Sequence, residues 1–336
     1  MKRCKGLLAG VVAVALVLTG CSAAPEEKAA PKPPAEVFWP LTGQKASSEK
    51  EINHPALSMK IENVDDARPH VGLDKADIVW EQMVEGGLTR FNVVYHSQFP
   101  NVAGPMRSVR PMDAGISAPL HGVFACSGGQ QAFMDSVSQV VGKFINETIA
   151  EDTAHRDSSR FAPHNLFLDT KAAVDRFGKD LKKPESQLAF ATGKKDIVAV
   201  EDSKNKDIKP ANALSLEFPA HTTKWDFDKE SGSYLRTDNG SPLTTQDGTR
   251  ISAKNVIVMS VDVHPSSVDS HVPETVMVGK GNVKIVINGK MIEGTWEKTD
   301  ISKPVVFKDS KGKVIKLAPG KTWIELLPND SSLEIS

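Results

Sequence analysis

The second half of the sequence consists of short runs in which apolar and polar residues alternate, and this pattern constrains the fold more than any other. The runs follow Lys183 and include ALSLEF, NVIVMSVDV, NVKIVI and KTWIELLP. A period of two places every second side chain on one face of a strand. Asn288-Gly289 is a strong hairpin signal, and turn residues recur every 8 to 12 residues or so. We predict that residues 189–336 form a β-rich domain, mostly antiparallel, built as a sandwich or a partly open barrel.

The first half of the folded chain mixes helical and strand patterns. LSMKIE at residues 57–62 alternates as a strand, and IVWEQMVE and LTRFNVVYH flank Gly86-Gly87 as a β-hairpin. HGVFACSGG followed by QAFMDSVSQVVGKF predicts a strand, a glycine turn and a helix that extends to Phe144. A second helix is predicted from Thr170 to Leu181, capped by Asp169. Residues 38–188 are therefore predicted to be a mixed α/β N-terminal domain, which makes the whole chain α+β.

The N-terminus has the pattern of a lipoprotein signal. Basic residues precede an apolar run that ends in Leu18-Thr19-Gly20-Cys21. The run is shorter than the roughly 20 apolar residues that a membrane span needs, and small residues precede the cysteine as at a processing site. We therefore predict a signal peptide at residues 1–20 and lipidation of Cys21, with two or more acyl chains supplying stable anchoring.

Residues 21–37 are rich in Ala, Pro, Glu and Lys and predict an extended linker, because this composition cannot bury a core. The expected location is the outer face of the cytoplasmic membrane, reached through the lipid at Cys21. The formal net charge of −1 gives no indication of nucleic-acid binding. Cys126 is the one cysteine left in the folded part after Cys4 and Cys21, so no intrachain disulfide is expected there.

Several long motifs resemble one known family. They are IENVDDARPHVGLDKADIVWEQMVEGGLTRF, GPMRSVRP and RFAPHNLF in the first half, and AKNVIVM, IEGTWEK and LAPGKTWIELLP in the second. Together they look like the YerB-like lipoproteins of Gram-positive bacteria, over nearly the whole chain after the linker. The resemblance implies a two-domain extracytoplasmic lipoprotein. The family has no known function, so the resemblance supplies no reaction, ligand or catalytic residue.

The segment GPMRSVRPMD carries the main candidate site. Arg107 and Arg110 lie between Pro105 and Pro111, which predicts a loop of specified backbone and not a solvated helix face. Paired guanidinium groups match the oxygens of phosphate or carboxylate. Other basic side chains beside Gly, Pro or Asn are expected to join them, namely Arg90, Arg160 and His164. The alternative for each arginine is an internal ion pair with a neighbouring Asp or Glu.

The turn Ser127-Gly128-Gly129 is a second part of the predicted site. It lies between a predicted strand and a predicted helix, where backbone N–H groups form a cradle for anions. The glycines have an alternative role, which is to let the chain turn.

Catalysis by Cys126 is not expected, because VFACS is apolar and a buried thiol is a poor nucleophile. Asp262, His264, Asp269 and His271 have no spacing that fits a metal motif. We assign no catalytic residue, no metal site and no cofactor from the sequence.

Two hypotheses of function remain. The first is a binding module that holds an anionic component of the cell envelope, or an envelope protein, near the membrane. The second is an envelope enzyme, a hydrolase or a phosphoryl or glycosyl transferase, in which the arginines stabilise charge and an Asp or Glu serves as acid and base. The first is preferred, since the sequence offers no pair of nucleophile and base.

Overall fold

The protein is described by a computed structural model, which covers residues 36–193, 197 and 208–336. The predicted signal peptide, Cys21 and nearly all of the predicted linker lie outside these residues. None of the helices in the described ranges has the length and apolar character needed to cross a bilayer.

Helices are few and short in the described part of the chain. The α-helices are α1 (Glu49–Ile52), α2 (Asp113–Ser117), α3 (Gln131–Ser138) and α4 (Thr170–Phe177). Single 3₁₀ turns lie at Asp65–Ala67, Leu73–Lys75, Glu85–Gly87 and Ala118–Leu120.

Strands dominate the described residues on both sides of the predicted boundary. Up to residue 193 they are β1 (Leu57–Glu62), β2 (Ile78–Met83), β3 (Thr89–Tyr95), β4 (Val123–Ala125), β5 (Lys143–Ile145), β6 (Ala154–Arg156) and β7 (Leu166–Leu168). After residue 207 they are β8 (Ile208–Pro210), β9 (Ala213–Phe218), β10 (His221–Asp228), β11 (Ser233–Asp238), β12 (Ser241–Pro242), β13 (Ser252–Ala253), β14 (Asn255–Val261), β15 (Val263–Pro265), β16 (Pro273–Thr275), β17 (Gly279–Ile287), β18 (Lys290–Lys298), β19 (Val306–Asp309), β20 (Thr322–Pro328) and β21 (Ser332–Ile335).

The main sheet contains strands from both halves. In the described residues its order is β19-β18-β17-β14-β20-β2-β3-β1-β4-β5, with β8 also paired to β18. Strand β20 connects the strands of the two halves. It runs parallel to β14 on one side and to β2 on the other, with Thr322 opposite both Asn255 and Ile78. The sheet therefore continues across the predicted boundary between the halves.

A second sheet packs on one face of the first. Its order is β12-β11-β10-β9-β21, with β13 also paired to β11. Leu214, Leu216 and Trp225 of this sheet share a buried cluster with Met59, Phe91 and Trp323 of the main sheet. The α+β class is confirmed, with a mixed N-terminal part followed by mainly antiparallel strands arranged as a sandwich.

A buried ionic network ties the two sheets together. The guanidinium of Arg236 on β11 lies 2.6 Å from Glu81 of β2, 2.7 Å from Asp238 and 3.1 Å from Glu325 of β20. All four side chains are fully buried. Burial, followed by the neighbouring Glu81, raises the pKa of Glu325 well above its ordinary value, and the charge of Arg236 opposes this. Removal of one partner from such a network costs about 3 to 5 kcal/mol.

Two helix predictions need correction. Helix α3 ends at Ser138, and Phe144 lies in β5, because the chain turns back there and pairs Phe144 with Phe124 of β4. Apolar side chains of α3 and β5 pack in one cluster, which explains why apolar residues continue at helical spacing as far as Phe144. Helix α4 ends at Phe177 and not at Leu181, since Gly178 follows it, and Asp169 at its N-terminus makes no side-chain capping hydrogen bond.

Candidate functional site

The loop that carries Arg107 and Arg110 is fixed by backbone hydrogen bonds on two sides. The N–H of Arg107 donates to the carbonyl of Lys60 at 3.0 Å, and its carbonyl accepts from the N–H of Ser127 at 3.0 Å. The N–H of Arg110 donates to the carboxylate of Asp113 at 2.7 Å. A loop held this closely presents its side chains in fixed positions, which is the condition for a binding site.

Arg107 faces Glu62, the last residue of β1. Nε of Arg107 lies 3.0 Å from Oε1 of Glu62, and Oε2 of the same carboxylate lies 2.8 Å from Nδ1 of His164. The Glu62 side chain is 3% exposed, whereas those of Arg107 and His164 are 23% and 21% exposed. The terminal nitrogens of Arg107 have no bonding partner in the described part of the chain, so they remain available to a ligand.

Arg110 is held by a two-pronged ion pair. Its Nε and one terminal nitrogen donate to the two carboxylate oxygens of Glu85 at 2.8 and 2.6 Å. The other terminal nitrogen donates to the carbonyl of Val109 at 2.8 Å. The pKa of Glu85 is lowered from its ordinary value; burial opposes this, and the hydrogen bond and charge of Arg110 outweigh it. For Arg110, the alternative of an internal ion pair is therefore what the structure contains.

Arg90 on β3 is the cation with the weakest protein contacts at this site. It lies opposite Glu62 in the strand register, yet the one hydrogen bond that its side chain makes within the described residues is a long one, 3.4 Å, to the carbonyl of Ser108. It forms no ion pair with a carboxylate there. Burial, followed by the positive charge of Arg110, lowers its pKa to about 10. An anion bound next to this guanidinium would stabilise its charged form.

A further cation lies behind the arginines. Lys60 on β1 is fully buried and pairs with Asp113 at 3.0 Å. Burial lowers its pKa to about 8, and the charges of Arg90 and Arg110 push in the same direction. The sequence analysis missed Lys60, although its position two residues before Glu62 on the same strand places both side chains on one face.

These side chains enclose a cavity of about 400 Å³, which we call the arginine cavity. It is lined by Glu62, Val64, Asp66, Val84, Glu85, Leu88, Thr89, Arg90, Arg107, Arg110 and His164. Four of the five basic residues proposed from the sequence therefore meet in one place. The carboxylate of Asp66 has no hydrogen bond or ion pair with a described residue.

A second cavity of about 630 Å³ adjoins the first, and we call it the outer cavity. It shares Asp66 and His164 with the arginine cavity and is further lined by Arg68, Pro69, Asp157, Ser159, Arg160, Phe161 and Gln246. Arg160, the fifth basic residue proposed from the sequence, therefore lies beside the arginine cavity and not in it. The two cavities join at Asp66 and His164 and together form one groove.

Comparisons with known proteins identify the family. Residues 41–184 match the N-terminal domain of DUF3048, described as a protein of unknown function, and residues 214–324 match the C-terminal domain of the same family. The chain belongs to the DUF3048 family. The whole sequence is similar to YerB of Bacillus subtilis (strain 168), which is named as a lipoprotein, at 26% identity over 96% of this chain and 95% of the relative. The predicted resemblance is thereby confirmed.

The fold of this DUF3048 protein is also similar to a solved structure. The crystal structure of YerB from Bacillus subtilis superimposes with a TM-score of 0.75 over 89% of this chain and 100% of that chain, at 24% sequence identity. This match supports the arrangement of sheets described above.

The Ser127-Gly128-Gly129 turn, the predicted anion cradle, lies outside the arginine cavity. In the DUF3048 protein it pairs with the back of the arginine loop, where the N–H of Val109 donates to the carbonyl of Gly128 at 3.0 Å. A Cβ at Gly129 would lie 2.7 Å from the Val109 side chain, so close packing accounts for that glycine. None of the three residues lines the arginine cavity.

Cys126 and the acidic and histidine side chains considered as metal ligands do not line the groove. Cys126 is completely buried, and burial raises the pKa of its thiol to about 12, which keeps it protonated and unreactive. Within residues 36–193, 197 and 208–336, no cluster of three or more His, Cys, Asp or Glu side chains is placed to hold a metal ion.

Proposed function

We propose that this DUF3048 protein is a lipid-anchored binding module that holds an anionic ligand in the arginine cavity at the outer face of the cytoplasmic membrane. The proposed anchor is the lipidated Cys21, which the pattern LTGC and the relative named as a lipoprotein support.

The observation that carries this proposal is the state of Arg90. A largely buried guanidinium that forms no ion pair is costly, because its charge has lost water and the carboxylates of Glu85 and Glu62 compensate it only through space, without direct contact. Two further arginines lie against the same cavity, and one of them has free terminal nitrogens. Groups held in an unfavourable charge state concentrate at binding sites. An anion in the arginine cavity would compensate Arg90 and bond to the free donors of Arg107.

Calorimetric titration of the full-length protein in detergent tests the proposal, with inorganic phosphate and acetate as the probes. We expect binding of at least one of them, and at least a tenfold loss of affinity in Arg90→Gln. The control is Arg176→Gln, which removes an exposed arginine paired to Asp152 in the same half of the chain. If the parent binds neither anion, or if both variants bind as the parent does, the proposal is wrong.

One contact supports the enzyme as a second candidate. Glu62 is bonded to Nδ1 of His164, which leaves Nε2 as the free ring nitrogen on the side chain that lines both cavities. A carboxylate that orients an imidazole in this way is a common arrangement for a general base. Hydrolysis of p-nitrophenyl phosphate by the parent, absent in His164→Gln, would favour the enzyme. The binding module is preferred, because it requires only Arg90, which forms no ion pair among the described residues, and the terminal nitrogens of Arg107.

A further inference from the structure

The two cavities of the groove differ in their chemistry. The arginine cavity offers unused cationic donors, from Arg107 and Arg90. The terminal nitrogens of both arginines in the outer cavity are bonded to the protein, and Nε of Arg68 is buried away from the cavity. Arg160 donates to the carbonyls of Ala67 and Pro69 at 3.2 and 2.7 Å and to Gln246 at 3.2 Å. Arg68 pairs with Asp65 and Asp238, both at 3.0 Å.

In the outer cavity the carboxylate of Asp66 has no partner among the described residues. The carboxylate of Asp157 on the same cavity is engaged, because it accepts from the N–H and the hydroxyl of Ser159 and lies 3.8 Å from Nε of Arg160. Carboxylates accept hydrogen bonds from hydroxyl groups and repel phosphate. Carboxylates line both cavities, and Asp66 borders the two, so the difference lies in the cationic donors. The terminal nitrogens of Arg107 and the weakly bonded Arg90 direct an anion to the arginine cavity, whereas the outer cavity, whose arginines are bonded to the protein, suits an uncharged group rich in hydroxyls.

An aromatic ring stands at the outer cavity without a covering neighbour. Phe161 is 89% exposed, which is far more than any other large apolar side chain in the described ranges. Its backbone is fixed on both sides, because the adjacent Arg160 is anchored by three acceptors and the Phe161 carbonyl accepts from the N–H of His164 at 2.9 Å. An aromatic ring that is exposed to water on a fixed backbone is stabilised when a flat, apolar surface covers it.

We propose that the ligand of the groove is a phosphorylated sugar, an inference that rests on the proposed anion-binding function. The phosphate occupies the arginine cavity between Arg90 and Arg107. The sugar lies in the outer cavity, with the C–H face of its ring on Phe161 and its hydroxyl groups donating to Asp66. His164, which borders both cavities, contacts the link between sugar and phosphate.

The test compares four probes by calorimetric titration of the full-length protein in detergent: inorganic phosphate, glucose 1-phosphate, glucose and adenosine monophosphate. We expect glucose 1-phosphate to bind about tenfold more tightly than phosphate, as one ring stacked on an aromatic side chain with its hydroxyls bonded would give. Phe161→Ala should remove most of this gain and leave the affinity for phosphate unchanged. Ile149→Ala, which trims another exposed apolar side chain in the same half, is the control and should change neither affinity.

The outcomes distinguish the binding of a sugar from the binding of an anion, on which it rests. If phosphate binds but glucose 1-phosphate binds no more tightly, the sugar assignment is wrong while anion binding stands. The same holds if Phe161→Ala weakens both ligands equally or if adenosine monophosphate binds more tightly than the sugar phosphate. If neither phosphate nor any phosphorylated probe binds, anion binding itself is wrong.

Discussion

Nδ1 of His164 lies 2.8 Å from Oε2 of Glu62, while Oε1 of the same carboxylate lies 3.0 Å from Nε of Arg107. One nearly buried carboxylate thus positions two cationic or proton-donating side chains that arrive from different loops. It also fixes the tautomer of the imidazole, since Nδ1 must carry the proton that is donated to Glu62.

The first prediction concerns this tautomer. When neutral, His164 is expected to carry its proton on Nδ1, and Glu62→Gln is expected to shift the ring toward a mixture of tautomers because an amide is a weaker acceptor. Long-range ¹H–¹⁵N correlation spectra of labelled protein measure this directly, with the exposed His121 as an internal reference. A His164 ring protonated on Nε2 in the parent would mean that the contact with Glu62 is not formed.

The second prediction concerns the ion pair between Arg110 and Glu85. Arg110→Gln and Glu85→Gln should each lower the free energy of unfolding by about 1 to 2 kcal/mol, with the partial exposure of Glu85 limiting the loss. The double variant should lose less than the sum, because one interaction is removed in all three. Denaturant unfolding measures the cycle. The exposed pair Lys171–Asp175 is the control, with an expected coupling of about 0.3 to 0.5 kcal/mol. Strictly additive losses at Arg110 and Glu85 would contradict the pairing.

The third prediction is an acid sensitivity at His70. This side chain is buried and its Nε2–H donates to the carbonyl of Glu62 at 2.7 Å; burial lowers its pKa from 6.5 to about 4. Between these values the unfolded chain binds more protons than the folded protein, so the contribution of His70 to stability falls as the pH decreases from about 6.5 to 4. The full loss is on the order of 3 kcal/mol.

His70→Gln keeps a donor and does not titrate, so its stability should fall less steeply than that of the parent over this range. Burial raises the pKa of Asp77 to about 6, which acts in the opposite direction, but that effect is common to both proteins and cancels in the difference. His121→Gln is the control at an exposed position. Parallel pH profiles for the parent and His70→Gln would show that His70 is not held neutral.

The fourth prediction concerns the membrane anchor. Cys21→Ser should abolish metabolic labelling with a fatty acid and either release the protein into the medium or leave it uncleaved. Cys4→Ser, which changes the predicted signal peptide alone, should keep the label. Persistent labelling of Cys21→Ser would show that lipid is attached elsewhere or that LTGC is not a processing site.

Local pattern was enough to predict several elements of the fold. The alternation of LSMKIE predicts β1 within its observed bounds, and Gly86-Gly87 between two strand patterns predicts the antiparallel pairing of β2 with β3. The position of β20 between β14 and β2 could not be predicted. Its neighbours are far apart in sequence, and parallel pairing depends on the buried faces of the whole sheet and not on any local turn.

The candidate site could likewise be predicted only in part. Arg107 and Arg110 could be predicted because the prolines on either side of them indicate a fixed loop, and four of the five basic residues line the arginine cavity. Their partners could not be assigned, since the sequence places several acids near each arginine and does not show which carboxylate each one reaches. The exposure of Phe161 could not be predicted either, because exposure of an aromatic side chain is a property of the folded surface.

The most direct test of the central claim is a thermal melt of the parent and Arg90→Gln, each with and without saturating phosphate, in parallel with Arg176→Gln. If Arg90 is kept for a ligand, Arg90→Gln should melt at or above the parent without phosphate, because the change removes an unpaired charge that also opposes protonation of Lys60. Phosphate should then raise the melting temperature of the parent and of Arg176→Gln by several degrees and leave that of Arg90→Gln unchanged. An Arg90→Gln protein that melts several degrees below the parent, together with a parent that phosphate does not stabilise, would show that Arg90 is structural and that the arginine cavity holds no anion.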